Sequence, residues 1–104
     1  MSSAQEVVEA KIAATPVIVY SKSYCPYCSK TKALLKELGA SFEVVELDQI
    51  NDGDAQQSAL EAITGQRTVP NTFIGGKTVG GNSDIQKLHK NNQLVDKLKA
   101  VSAL

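Results

Sequence analysis

Cys25 and Cys28 are the only cysteines in the chain, and they stand in the run Cys25-Pro26-Tyr27-Cys28. The two intervening residues place the second sulfur at the next position along a helical turn, so a disulfide within the motif is sterically reasonable. Lys22, three residues upstream, offers a positive charge. The chemistry open to such a pair is thiol–disulfide exchange, which needs one sulfur held as thiolate.

Zinc binding is a competing use of close cysteines, and it fails on counting. A structural zinc takes a full tetrahedral shell of Cys or His ligands. This chain offers Cys25, Cys28 and His89 alone, so no metal is expected. An inert buried pair is the remaining alternative. Against it stands placement: Cys-X-X-Cys between a strand and a helix, in a reducing compartment, is biased toward redox work.

The elements around the pair supply that placement. Val17 to Ser21 is continuously apolar and β-branched, which predicts a central strand covered on both faces. Pro26 suits the first turn of a following helix, whose apolar face is Leu34, Leu35 and Leu38 and whose stop is Gly39. Cys25 therefore falls at a helix N-terminus, where free N–H groups and the positive end of the macrodipole favour thiolate. Cys28, a turn further in, should be less exposed and higher in pKa.

Before the strand, Val8 and Ile12 lie at helical spacing in a short amphipathic segment from Ser3 to Ala14, ended by Pro16. After the cysteine helix, Phe42 to Leu47 reads as a second strand and Asp54 to Thr64 as a third helix, closed by Gly65. Thr72-Phe73-Ile74 and Lys77-Thr78-Val79 flank Gly75-Gly76 as a tight hairpin. Ser83-Asp84-Ile85-Gln86 has the form of a capping box, and Leu94, Leu98 and Val101 mark a last helix. A right-handed strand-helix-strand crossover plus the hairpin predicts a four-stranded mixed sheet flanked by about five helices, an α/β fold. Tyr20 and Phe73 are expected in its core and His89 on its surface.

Composition narrows the classes further. The chain has 104 residues, 42% hydrophobic and 21% charged, which suits one domain over 1–104. Eleven basic residues balance eleven acidic ones. The whole-chain field that draws nucleic acid is therefore missing. No run nears the roughly 18 apolar residues of a membrane span, and the longest is Val17 to Tyr20. The start, Met1 to Glu6, has neither a basic and apolar leader nor an Arg-rich transit character, so a cytoplasmic address is expected.

Cys25-Pro26-Tyr27-Cys28, Thr68-Val69-Pro70 and Gly80-Gly81-Asn82-Ser83-Asp84, in this order and spacing, resemble a dithiol glutaredoxin of the Cys-Pro-Tyr-Cys class. The resemblance runs from Val17 to about Leu98. A thioredoxin, by contrast, typically has Trp before its first cysteine and Gly-Pro within the pair. The resemblance implies a thioredoxin-like fold with a cis Pro70 presenting the Val69 backbone beside the active cysteine. An extended backbone there can exchange main-chain hydrogen bonds with a bound peptide. Glutathione, the implied co-substrate and reductant, is such a peptide.

Residue by residue, the resemblance implies that Lys22, Gln57 and Arg67 meet the glycine-end carboxylate. Thr68, Val69 and Pro70 line the cleft, and Tyr27 flanks the cysteine. N–H groups around Gly81, Asn82, Ser83 and Asp84 would hold the γ-glutamyl carboxylate, with Asp84 also accepting from the ammonium group. Taken singly, Ser83 also suits a plain helix cap, and Lys22 and Arg67 suit solvated surface charges.

The implied activity is reduction of protein–glutathione mixed disulfides and protein disulfides, with Cys25 as nucleophile and Cys28 as resolving cysteine. Glutathionylated or disulfide-bearing proteins are the implied partners, and a monomer is expected. Many family members carry a further cysteine where this chain has Asn82. Some relatives with Gly or Ser at the Pro26 position bridge two subunits through an iron–sulfur cluster. A glutathione-dependent iron–sulfur carrier is thus the alternative from another class, and Pro26 argues against it. A thioredoxin-type reductant served by a flavoprotein reductase is a second alternative.

Overall fold

The structure is a computed structural model describing residues 3–104; Met1 and Ser2, where the reading of the amino terminus began, lie outside the described residues. β1 (Val17–Ser21) is buried at every position, as its unbroken apolar run predicts. β2 (Glu43–Glu46) pairs with it in parallel on one side, and β3 (Asn71–Ile74) pairs antiparallel on the other. β4 (Lys77–Gly80) completes the order β2-β1-β3-β4 through the hairpin at Gly75 and Gly76. Both glycines have positive φ, 61° and 81°, as a two-residue turn of the hairpin type requires.

Alternate residues of β1 serve opposite faces of the sheet. Val17 and Val19 pack with Leu34 and Leu35 of α2 (Pro26–Glu37), Ile85 of α4 (Asn82–Lys90), and Leu94 and Leu98 of α5 (Leu94–Ala100). Ile18 and Tyr20 pack with Val8 and Ile12 of α1 (Ala4–Ala14) and Ala59 and Leu60 of α3 (Gly53–Thr64). Tyr20 and Phe73 meet edge-on in that second core, ring centres 6.0 Å apart and planes at 85°. His89 is exposed on α4.

Three local expectations are corrected. The second strand is Glu43–Glu46 rather than 42–47, because Leu47 turns into a short 3-10 segment, Leu47–Gln49, that buries its side chain. The third helix begins at Gly53. A β-carbon at Gly53 would sit 1.8 Å from the Leu47 carbonyl oxygen, so only glycine lets the helix start against that segment. The third correction concerns α4: its cap is Gly81, not Ser83, and the helix begins at Asn82. The Asp84 carboxylate accepts from the Gly81 N–H at 2.9 Å, which sets the start two residues earlier than the Ser83 pattern suggests.

Candidate active site

Cys25 is the cap residue of α2, extended at φ −86° and ψ 119°, and Pro26 takes the first helical position. Its sulfur accepts from the Cys28 N–H at 3.4 Å, the place a Ser or Asp oxygen fills at an ordinary helix start. The loop before it is tied down twice. The Cys25 N–H donates to the Lys22 carbonyl at 3.0 Å. The Ser23 N–H donates to Asp48 Oδ1 at 2.9 Å, and the Ser23 hydroxyl donates to Asp48 Oδ2. Those two bonds hold the Asp48 carboxyl below its usual range, the hydroxyl contributing most.

Both cysteines are free thiols, Cys25 partly exposed and Cys28 wholly buried. Burial pushes the Cys25 thiol up, but donation from the Cys28 side chain and from the Cys28 and Tyr27 N–H groups, helped by the Lys32 charge, brings it below the ordinary value. Cys28 moves the other way. Burial raises it, and its hydrogen bond to Cys25 raises it further. The nucleophile and the resolving thiol are thus separated in acidity by depth along one helical turn.

Pro70 follows a cis peptide bond from Val69. The Cys25 thiol donates to the Val69 carbonyl at 3.9 Å, which sets this backbone beside the sulfur. Tyr27 is exposed at 59%, with the Lys30 ammonium 5.3 Å from its ring centre. Between Tyr27 and the start of α4 lies a cleft of about 520 Å³, lined by Tyr27, Gln66, Thr68, Val69, Pro70 and the run 81–84. That volume falls within the roughly 300–1,000 Å³ of small-molecule sites.

Gln66 is the cleft residue that sequence reasoning missed. Its amide nitrogen donates to the Thr68 carbonyl at 2.9 Å and the Pro70 carbonyl at 3.1 Å, bracing the wall that carries Val69 beside Cys25. Nothing in its local sequence signals this, because both acceptors belong to main chain bent around it.

The start of α4 forms the far end of the cleft. The N–H groups of Asn82, Ser83 and Asp84 occupy the first turn, where no intrahelical acceptor exists, and the cap residue Gly81 has no side chain to fill the place. Gly80 turns into this segment at φ +97°, and a β-carbon there would lie 2.3 Å from Asp84 Oδ2. The amides are therefore open to an anion, with the Asp84 carboxylate fixed alongside.

Lys22, Gln57 and Arg67 lie outside the residues lining that cleft. Gln57 is buried, and its amide donates to the Arg67 carbonyl at 2.9 Å, so it holds the Arg67 backbone. The Arg67 guanidinium donates to Ser58 Oγ at 3.0 Å and lies 3.7 Å from Glu61 Oε1. Both ends of that ion pair are about half exposed, 48% and 50%, so the pair holds the guanidinium weakly.

A sequence model of the glutaredoxin family matches residues 17–79, which include β1, the cysteine pair, β2, the cis proline and β3. The chain belongs to the glutaredoxin family. Among its relatives, Glutaredoxin-C2 of Arabidopsis thaliana is 48% identical over 104 residues, covering all of this chain and 90% of that one. Glutaredoxin-C6 of Oryza sativa subsp. japonica is 50% identical over 93 residues, 89% of this chain and 83% of that protein. The crystal structure of a buckwheat glutaredoxin–glutathione complex superposes with a TM-score of 0.95 at 46% identity, covering 97% of this chain and 92% of that one. The glutaredoxin fold is the thioredoxin-like arrangement expected for this chain.

Proposed function

We propose that this glutaredoxin is a glutathione-dependent thiol–disulfide oxidoreductase acting on protein–glutathione mixed disulfides and on protein disulfides. The observation that carries the reading is Cys25 as helix cap: its acidity is raised by the N–H groups at the start of α2, and its partly exposed sulfur lies beside Val69, which lines the cleft.

The Cys25 thiolate attacks the glutathionyl sulfur of the mixed disulfide. The old S–S bond breaks, the protein thiolate leaves with the electron pair and takes up a proton, and Cys25 now carries glutathione. A second glutathione thiolate attacks the glutathionyl sulfur, releasing glutathione disulfide and restoring Cys25. With a protein disulfide, Cys25 forms a mixed disulfide to the target and Cys28 displaces it, closing Cys25–Cys28. Two glutathiones then reduce that bond. The buried Cys28 must lose its proton for that step; two of the causes that raise its pKa, the hydrogen bond to Cys25 and the Cys25 charge, are absent once Cys25 is in a disulfide.

The proposed seat of glutathione is the cleft beside Cys25. Val69 is placed to exchange main-chain bonds with the peptide, and Tyr27, Thr68 and Pro70 form the walls. The first-turn amides around Gly81, Asn82 and Ser83 suit the γ-glutamyl carboxylate, and Asp84 suits its ammonium. Lys22 and Arg67 are proposed for the glycine-end carboxylate, with Gln57 supporting Arg67 from behind. A glutathione complex in the buckwheat relative supports this reading.

The protein is further proposed to act as a cytoplasmic monomer on glutathionylated and disulfide-bearing proteins. Light scattering and a fluorescent fusion test state and address. The decisive experiment measures glutathione-dependent release of glutathione from a glutathionylated peptide. Cys28→Ser should retain this activity and lose reduction of protein disulfides, while Cys25→Ser loses both. An inactive Cys28→Ser, with disulfide reduction intact in the unmodified chain, would move a thioredoxin-type role to first place. A coloured, dimeric product on anaerobic purification would instead favour the iron–sulfur carrier.

A further inference from the structure

Thr31 lies one turn beyond Cys28 on α2 and is wholly buried. A helical threonine ordinarily returns its hydroxyl to a carbonyl of the preceding turn. This one reaches across to another helix: Thr31 Oγ1 donates to Asn82 Oδ1 at 3.0 Å. Gln86 Nε2 donates to the same oxygen at 3.2 Å, so both of its lone pairs are used. Among the described residues, Thr31–Asn82 is the only side-chain hydrogen bond between α2 and α4.

Its location gives it consequence. α2 carries the thiolate at its first turn, and Asn82 is the first residue of α4, lining the far end of the cleft. The remaining contact between the helices is apolar, through Leu34, Leu35 and Ile85, and such contacts resist sliding weakly because they are not directional. A hydrogen bond is directional and sets position along both axes. The Asn82 side chain turns toward α2, which leaves its main-chain N–H to the cleft.

We propose that Thr31 and Asn82 act as positioning residues: their bond holds the anion-binding start of α4 at a fixed place relative to the Cys25 sulfur, so that glutathione is bound with its sulfur in line. The inference rests on the cleft being the glutathione seat. Removing the hydroxyl lets α4 shift and weakens capture of the glutathionyl group, while the Cys28 and Tyr27 hydrogen bonds that lower Cys25 lie a turn earlier on α2 and Lys32 keeps its charge.

The test is steady-state kinetics with a glutathionylated peptide. Thr31→Val, nearly the same shape, should raise KM about fivefold, the worth of one buried hydrogen bond. Its kcat and the pH profile of Cys25 alkylation should stay as in the unmodified chain. Thr31→Ser should restore KM. Asn82→Ala, which also removes the Gln86 bond, should raise KM at least as much, and adding Thr31→Val to it should raise KM no further, because the bond Thr31 makes is already gone. An unchanged KM in Thr31→Val, a failure of serine to restore it, or additive effects in the double variant would overturn the proposal.

Titration of the unmodified chain with S-methylglutathione, followed by amide NMR shifts, separates this inference from the one beneath it. Shifts at Ser83 and Asp84 together with an unchanged KM in Thr31→Val sink the coupling alone. No shift at either amide sinks the seat, and the coupling with it.

Discussion

The Cys28 N–H donates to the Cys25 sulfur across 3.4 Å, so the residue that resolves the mixed disulfide also helps hold its nucleophile as thiolate. One helical turn thereby does two opposite things to two identical side chains. At the rim, hydrogen bonds outweigh the cost of burial; one turn deeper, burial prevails.

That asymmetry predicts the order and pH dependence of alkylation. Iodoacetamide should modify Cys25 first, with a rate midpoint below the ordinary thiol value of about 8.5, and Cys28 only after unfolding. The corresponding stability effect has a definite sign. With the folded pKa of Cys25 depressed, its contribution is fully present above the unfolded thiol value and is lost as pH falls through the folded value. In a Cys28→Ser background, the reduced chain should therefore gain stability as pH rises through that window, measured by urea midpoints. A flat profile would contradict the capped-thiolate account.

Gln66→Ala should loosen the cleft wall. It removes donors to the Thr68 and Pro70 carbonyls, 2.9 and 3.1 Å away, and should cost about 1–2 kcal/mol of stability. The KM for a glutathionylated peptide should rise, with the thiolate titration unmoved. Chemical denaturation and kinetics on the same sample check both halves.

Gly80→Ala should damage the opposite wall. The added methyl would need a left-handed backbone at φ +97° and would press on Asp84, 2.3 Å from where its carbon must go. Loss of the Asp84–Gly81 bond follows, and a cost of about 1–3 kcal/mol is expected. Calorimetry should show a lowered Tm together with a raised KM; a neutral substitution would contradict the structure at this turn.

Tyr20→Phe should be harmless or helpful. The Tyr20 hydroxyl is buried with no hydrogen-bond partner among the described residues, and burial with the nearby Glu43 charge pushes its pKa up to about 12. Deleting an unpartnered hydroxyl should leave stability unchanged or raise it by about 1 kcal/mol. A urea midpoint well below that of the unmodified chain would show that the hydroxyl has a partner after all.

What the sequence determined by itself is what depends on neighbours in the chain. The unbroken apolar run of Val17 to Tyr20, proline after the first cysteine and paired glycines in the hairpin each impose local geometry, and each element appears where the sequence places it. The cysteine at a helix start is of this kind, so its acidity was legible from spacing alone. The Ser83 pattern does not mark the start of α4, because Ser with Gln three residues on fits a capping box by local sequence alone, whereas the turn at Gly80 and the reach of Asp84 choose Gly81.

Contacts between distant segments were left to the tertiary structure. Gln57 holding the Arg67 carbonyl and Thr31 reaching Asn82 join elements whose separation is set only when two apolar cores close on either face of one sheet, and even the short-range Gln66 bonds depend on how the folded chain bends Thr68 and Pro70 around it. A glutamine or threonine carries no periodic signature of its own. Its role depends on which donors and acceptors the packed backbone leaves within about 3 Å, and only the folded chain decides that.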